Sequence, residues 1–166
     1  VGLTFAQSTQ AAPRPQNVIS PDAALKRLDS GNTRYIDGTT KRQSFSSDRA
    51  ALALGQNPFA AILGCADSRV APEFAFDTAR GDLFICRVAG NFAEPSSIAS
   101  LEFAVAVLKT PLIMVLGHDS CGAVNSTIKA VNEGAKFPGH IPTLVKAITP
   151  AVKKAKFPLV GDPTHT

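Results

Sequence analysis

Apolar runs of strand length alternate with helical stripes along the middle of the chain. Residues 59–63, 83–88 and 112–116 are segments five or six residues long, apolar but for Arg87; Pro58 and Gly64 flank the first, Asp82 precedes the second, and Pro111 and Gly117 flank the third. Such runs predict strands covered on both faces. Between the second and third, 97–109 carries Ile98, Leu101, Val105 and Leu108 at helical spacing. The order strand, connection, strand, helix, strand, helix predicts an α/β fold with a central, mainly parallel sheet flanked by helices. Helices are expected at 122–133 and at 141–156, the latter interrupted near Pro150.

Upstream, Ser20-Pro21-Asp22 reads as N-cap, first helical position and acidic first turn, and Leu25, Leu28 and Tyr35 then recur at roughly helical spacing. This predicts an amphipathic N-terminal helical arm. A polar stretch follows over 37–47, then a short helix over 48–54 ended by Gly55.

At 166 residues and 45% hydrophobic composition, the chain fits one α/β domain. Residues 1–17, apolar and then rich in Gln, Ala, Ser and Pro, suit either the trailing end of a secretory signal with a spacer or a cytoplasmic tail, so compartment stays open. The expected organisation is a flexible segment over 1–19 and a catalytic domain over 20–166. Because 161–166 is turn-like with no closing element, that domain is expected to lack its C-terminal end.

Charge changes this picture little. The net charge is +4 with an isoelectric point near 9.2, but the densest basic run, Lys153-Lys154-Ala155-Lys156, is short and lacks interleaved aromatics. It reads as a solvated helix face, and no nucleic-acid partner is expected. No apolar stretch approaches the roughly 20 residues of a membrane span, so a soluble chain with no membrane partner is expected. Three cysteines are too few for a disulfide framework.

In open α/β sheets, sites form at the carboxyl ends of strands. After the first run comes Gly64-Cys65-Ala66-Asp67-Ser68-Arg69-Val70, and after the third Gly117-His118-Asp119-Ser120-Cys121-Gly122-Ala123. Two thiols and an imidazole at one sheet edge make a three-ligand set suited to zinc, with a fourth position left for water or substrate. Taken singly, each cysteine reads as a buried apolar thiol and the histidine as a hydrogen-bonded ring; the combination favours metal. Ala123 stands where a phosphate loop needs its lysine, which disfavours nucleotide binding. Asp119 and Ser120 are expected to cap the helix beginning near Gly122, Cys86 to be a core thiol, and His140 and His165 to be incidental loop histidines.

The 65–70 and 117–123 motifs, some fifty residues apart, resemble the two signatures of β-class carbonic anhydrases. Gly81-Asp82-Leu83-Phe84, Arg87-Val88-Ala89-Gly90-Asn91 and Ser100-Leu101-Glu102-Phe103-Ala104 resemble bacterial members, and the likeness runs from about residue 20 to 152. The resemblance implies a β-carbonic anhydrase-like fold and one zinc ion per chain, held by Cys65, His118 and Cys121. It implies an acid–base dyad of Asp67 and Arg69, and Gln56 lining the substrate pocket. Arg87 matches a motif arginine to which no catalytic role attaches.

The implied reaction is reversible hydration of carbon dioxide to bicarbonate and a proton through zinc-bound hydroxide, by a homodimer or homotetramer whose N-terminal helix packs onto a partner. Members that close the site by letting the aspartate ligate zinc carry a tryptophan three residues before the first cysteine. Here that residue is Ile62 and the chain has no Trp, so an open site is expected. The alternatives are a hydrolase of carbon disulfide or carbonyl sulfide on the same fold, and a non-catalytic zinc-stabilised binding domain.

Overall fold

The computed structural model describes residues 17–41 and 49–155. The expectations for residues 1–16, for most of the polar stretch before the second helix, and for Lys156 and His165 therefore lie outside the described residues. Among those described, helices α1 (Pro21–Ile36), α2 (Arg49–Leu52), α3 (Pro72–Ala75), α4 (Pro95–Ala106), α5 (Gly122–Glu133) and α6 (Ile141–Ala155) alternate with strands β1 (Ala60–Gly64), β2 (Leu83–Arg87) and β3 (Ile113–Leu116). The four-residue α3 lies in the stretch expected to be only a connection.

The three strands form one sheet in the order β2-β1-β3. Phe59 N–H donates to the Asp82 carbonyl at 2.9 Å near the start of β1, and Ala66 N–H to the Val88 carbonyl at 3.2 Å beyond its end. Both strands thus advance together, and the sheet is parallel. β1, paired on both edges, is buried throughout. The expectation of two-sided burial fails for the outer strands: β2 is half-buried, and β3 alternates, with Ile113 44% and Val115 62% exposed. Continuous apolar runs recorded hydrophobicity, not how many faces are covered.

The chain divides into two compact units. Of the described residues, the first comprises those of 17–61, Glu73–Phe84 and Glu102–Leu112, the second Ile62–Pro72, Ile85–Leu101 and those of 113–155. In the first, Ser20 Oγ caps α1 by accepting the Ala23 N–H at 3.1 Å. The helix buries Ala24, Leu28 and Gly31, while Leu25 and Tyr35, expected to share the apolar stripe, are exposed. Gly31 is required by close approach, since a Cβ there would fall 1.8 Å from the Phe76 carbonyl oxygen. Arg27 bonds Asp82 at 3.1 Å and lies over the Phe59 ring, and Arg34 pairs with Asp77.

In the second unit, α5 and α6 pack together over a small core of Ile128, Ile148 and Val152, joined by Phe92, Ala123 and Val124. α6 runs through Pro150 without the expected interruption. Proline in a helix interior costs about 3 kcal/mol, while burying Ile148 and Val152 on either side of it stabilises by roughly 1.5–3 kcal/mol each, enough to keep the helix continuous. Lys153 and Lys154 are exposed, as a solvated face requires. No described helix is long and apolar enough to cross a membrane.

Candidate active site

All the chemistry-bearing loops of the second unit leave the carboxyl ends of the strands. β1 ends at Gly64 and delivers Cys65, Asp67 and Arg69; β2 delivers Arg87 and Gly90; β3 delivers His118 and Cys121. Cys65 and Cys121 are buried, with sulfurs 3.8 Å apart, well beyond a disulfide bond. The candidate ligand atoms of Cys65, His118 and Cys121 all lie within 4.8 Å of one another.

Three local features aim these atoms. Cys121 occupies the N-cap position of α5 without a side-chain capping bond. Asp119 and Ser120 therefore do not cap that helix as expected; Ser120 is instead in the left-handed region at φ 53°, turning the chain between His118 and Cys121. His118 Nδ1 donates to the Asp119 carbonyl at 2.9 Å, which fixes the tautomer with a free lone pair on Nε2. That Nε2 is buried and has no hydrogen-bond partner. A buried acceptor left unpaired beside two sulfurs fits a metal-ligating role, since otherwise it would be an uncompensated cost.

The electrostatics agree. Burial raises the Cys65 thiol pKa, but the Gly90 N–H at 3.3 Å, the His118 ring, the Asp67 backbone and Cys121 outweigh it, bringing it from 9.0 to about 7. The nearby Cys65 sulfur, although outside hydrogen-bond geometry with Nε2, is the main influence raising the His118 pKa; burial opposes it, and the Asp119 carbonyl adds to it.

Asp67 and Arg69 form a bidentate pair, Nε to Oδ1 at 2.9 Å and Nη2 to Oδ2 at 2.7 Å, with the Arg69 N–H adding a bond to Oδ1 at 3.0 Å. The guanidinium, bonded to both oxygens, holds the Asp67 carboxyl well below the usual carboxylate range. Arg69 Nη2 also donates to the Ser120 carbonyl at 3.3 Å, tying the pair to the loop that carries His118 and Cys121. Asp67 Oδ2 stands 3.9 Å from His118 Nε2.

Five of the six residues singled out from sequence thus converge. The sixth, Gln56, lies in the first unit, exposed in the loop ahead of β1. Cys86, expected in the core, is half-buried within β2, and burial raises its thiol pKa. His140 is exposed.

Two residues of the second strand-end gain roles that the sequence did not reveal. Arg87 donates to the carbonyls of Cys65, Asp67 and Val70 at 2.8, 2.7 and 2.9 Å. Gly90, at φ 85°, brings its N–H to the Cys65 sulfur, and a Cβ there would meet Ile148 Cδ1 at 2.5 Å and Ala123 Cβ at 3.2 Å. Their only sequence signal was the Arg87–Asn91 motif.

The carbonic anhydrase family profile matches residues 60–162. Carbonic anhydrase 2 of Mycobacterium tuberculosis is 48% identical over 134 residues, covering 80% of this chain and 65% of that protein. A carbonic anhydrase of Mycolicibacterium smegmatis is 45% identical over the same shares. The chain therefore spans slightly less than two thirds of the curated relatives it matches.

Among solved structures, the β-carbonic anhydrase CcaA superposes with a TM-score of 0.57 at 30% identity, covering 80% of this chain and 60% of that one. A β-carbonic anhydrase of Coccomyxa, in complex with acetazolamide, gives 0.58 at 28%, covering 82% and 59%. Profile, relatives and fold agree with the two strand-end motifs: the chain belongs to the carbonic anhydrase family, in its β class.

Proposed function

We propose that this protein binds one zinc ion through Cys65 Sγ, His118 Nε2 and Cys121 Sγ and catalyses the reversible hydration of carbon dioxide to bicarbonate and a proton. What carries the reading is a carboxylate, locked by an arginine, 3.9 Å from the unpartnered nitrogen of a Cys-His-Cys cluster. The donor set fits zinc in size as well as kind. A tetrahedron with Zn–S bonds of about 2.3 Å has an S–S edge of about 3.8 Å, and the sulfurs are 3.8 Å apart.

Zinc held there supplies Lewis acidity, lowering the pKa of water and making a nucleophile available near neutral pH. Two thiolates weaken that effect relative to an all-imidazole site, so the protein must contribute more. Asp67 does so as a hydrogen-bond acceptor that stays ionised because Arg69 holds it. Its carboxylate orients the attacking water and directs a lone pair at the carbon of carbon dioxide. Arg69, with both carboxylate oxygens engaged, keeps Asp67 out of the ligand set, which favours the open site. The proton released goes to buffer.

We extend the reading to two finer points. Gln56 is a candidate substrate contact, with a raised KM in Gln56→Ala as its test. Self-association through α1 is favoured by Leu25 and Ile36, exposed and eleven residues apart on one helical face; sedimentation of Ile36→Asp tests it.

The decisive experiment is stopped-flow carbon dioxide hydration with a pH indicator from pH 6 to 9 on zinc-loaded protein. Hydration well above buffer, lost on chelation and restored by zinc, is the expected result. One zinc per chain with no hydration at any of these pH values would instead support a non-catalytic, zinc-stabilised domain.

A further inference from the structure

The end of β2 contributes no metal ligand, yet it holds the 65–70 loop from three directions. Val88 pairs with the loop's start, its N–H donating to the Gly64 carbonyl at 3.1 Å and its carbonyl accepting from Ala66. Gly90 N–H reaches the Cys65 sulfur. Arg87 spans the rest, its Nε on the Cys65 carbonyl and its Nη2 on those of Asp67 and Val70.

All three Arg87 bonds end on main-chain carbonyls, so the guanidinium acts here as a planar template for the backbone. The three carbonyls bracket both the sulfur-bearing residue and the carboxylate-bearing one. Arg69, by contrast, approaches Asp67 with a side chain 63% exposed. It can orient the carboxylate only if the loop beneath is already fixed.

We propose that Arg87 is a positioning residue for this site: by clamping the 65–70 loop it fixes the Cys65 sulfur relative to the Asp67 carboxylate, and so sets both metal affinity and turnover. The inference rests on the zinc reading above. A fork of donors suits the task because Nε and Nη2 serve three carbonyls at once, whereas a lysine ammonium is a compact point charge on a flexible stem. Groups that orient ligands without touching metal are worth 10–100-fold in affinity, and displacement of a reacting group by about 1 Å is worth about 10²-fold in rate.

The test compares wild type with Arg87→Gln, Arg87→Lys and Arg27→Gln. Arg27 pairs with Asp82 in the first unit, and its loss controls for simple destabilisation. Zinc affinity is measured by chelator competition, the cobalt-substituted site by its absorption spectrum, and hydration as separate kcat and KM. Arg87→Gln is expected to weaken zinc binding about 10–100-fold, alter the cobalt spectrum and lower kcat about 10²-fold with a smaller change in KM. Arg87→Lys should fall between, and Arg27→Gln should lower only the melting temperature.

Arg87→Gln within twofold of wild type in zinc affinity and kcat overturns the proposal, even if it melts earlier. Should the glutamine variant not fold, Arg87→Lys matching wild type in both overturns it equally. A wild-type protein that takes up neither zinc nor cobalt fails before Arg87 is changed and overturns the zinc reading itself.

Discussion

Adding a single methyl group at Gly90 tests how this site is built. Gly90 sits at φ 85°, a conformation that costs an L-residue about 1–2 kcal/mol. The new Cβ would also lie 2.5 Å from Ile148 Cδ1 and 3.2 Å from Ala123 Cβ. Ile148 Cδ1 is the far end of a flexible side chain and can rotate aside, whereas Ala123 sits on α5 and yields only by shifting the helix. Overpacking of this kind costs about 1–3 kcal/mol, and the rotation places it at the low end. Gly90→Ala should therefore destabilise the metal-free protein by about 2–3 kcal/mol, read as a lower urea midpoint at unchanged slope.

A second readout separates sterics from electrostatics. Burial raises the Cys65 pKa, and the Gly90 N–H is the strongest of the influences that bring it down to about 7. Moving that N–H should return the thiol toward 9.0. Because the folded pKa lies below the unfolded one, the thiolate's stabilising contribution is complete above about pH 9 and is lost as pH falls through about 7. The Cys65 contribution in metal-free wild type should thus grow between pH 7 and 9, opposed by His118, whose raised pKa gives a contribution that is lost as pH rises, and it should grow less in the variant. Alkylation rates against pH, read peptide by peptide by mass spectrometry, follow Cys65 alone. A loss below about 1 kcal/mol refutes the steric argument; a full loss with Cys65 still titrating near 7 refutes the electrostatic one.

Cys121→Ser and His118→Ala should each weaken zinc binding beyond the 10–100-fold seen for groups that merely orient ligands, measured by chelator competition. Asp67→Asn should keep stoichiometric zinc, by elemental analysis, while kcat for hydration falls about 10²–10⁴-fold. Arg69→Gln should let Asp67 titrate near its ordinary value of 3.8, followed by carboxyl carbon NMR. Since Arg69 depresses that pKa in the folded state, the pair's contribution holds above about pH 4 and fades as pH falls through the folded value; the variant should lose it and unfold at a higher pH during acid titration.

The short α3 was not foreseen, and likeness to β-class carbonic anhydrases marked Asp67 and Arg69. The sequence by itself determined the order of the strands and longer helices, the mainly parallel sheet and the set of Cys65, His118 and Cys121. These follow from local rules: apolar runs of strand length, Ser20-Pro21-Asp22 at a helix start, and chemistry placed directly after strands. α5 agrees to the residue because Gly122 and Gly134 punctuate it, whereas the break expected at Pro150 was overridden by packing that no local window contains.

Only the tertiary structure decided how the site is held. Arg87 reaches carbonyls 17 to 22 residues away, and Gly90 turns an N–H onto a sulfur contributed by another strand. Main-chain carbonyls and N–H groups are the same at every position, so no residue type betrays which of them will be used. Side-chain chemistry is written in the sequence, but the backbone partners that aim it exist only once distant segments lie side by side.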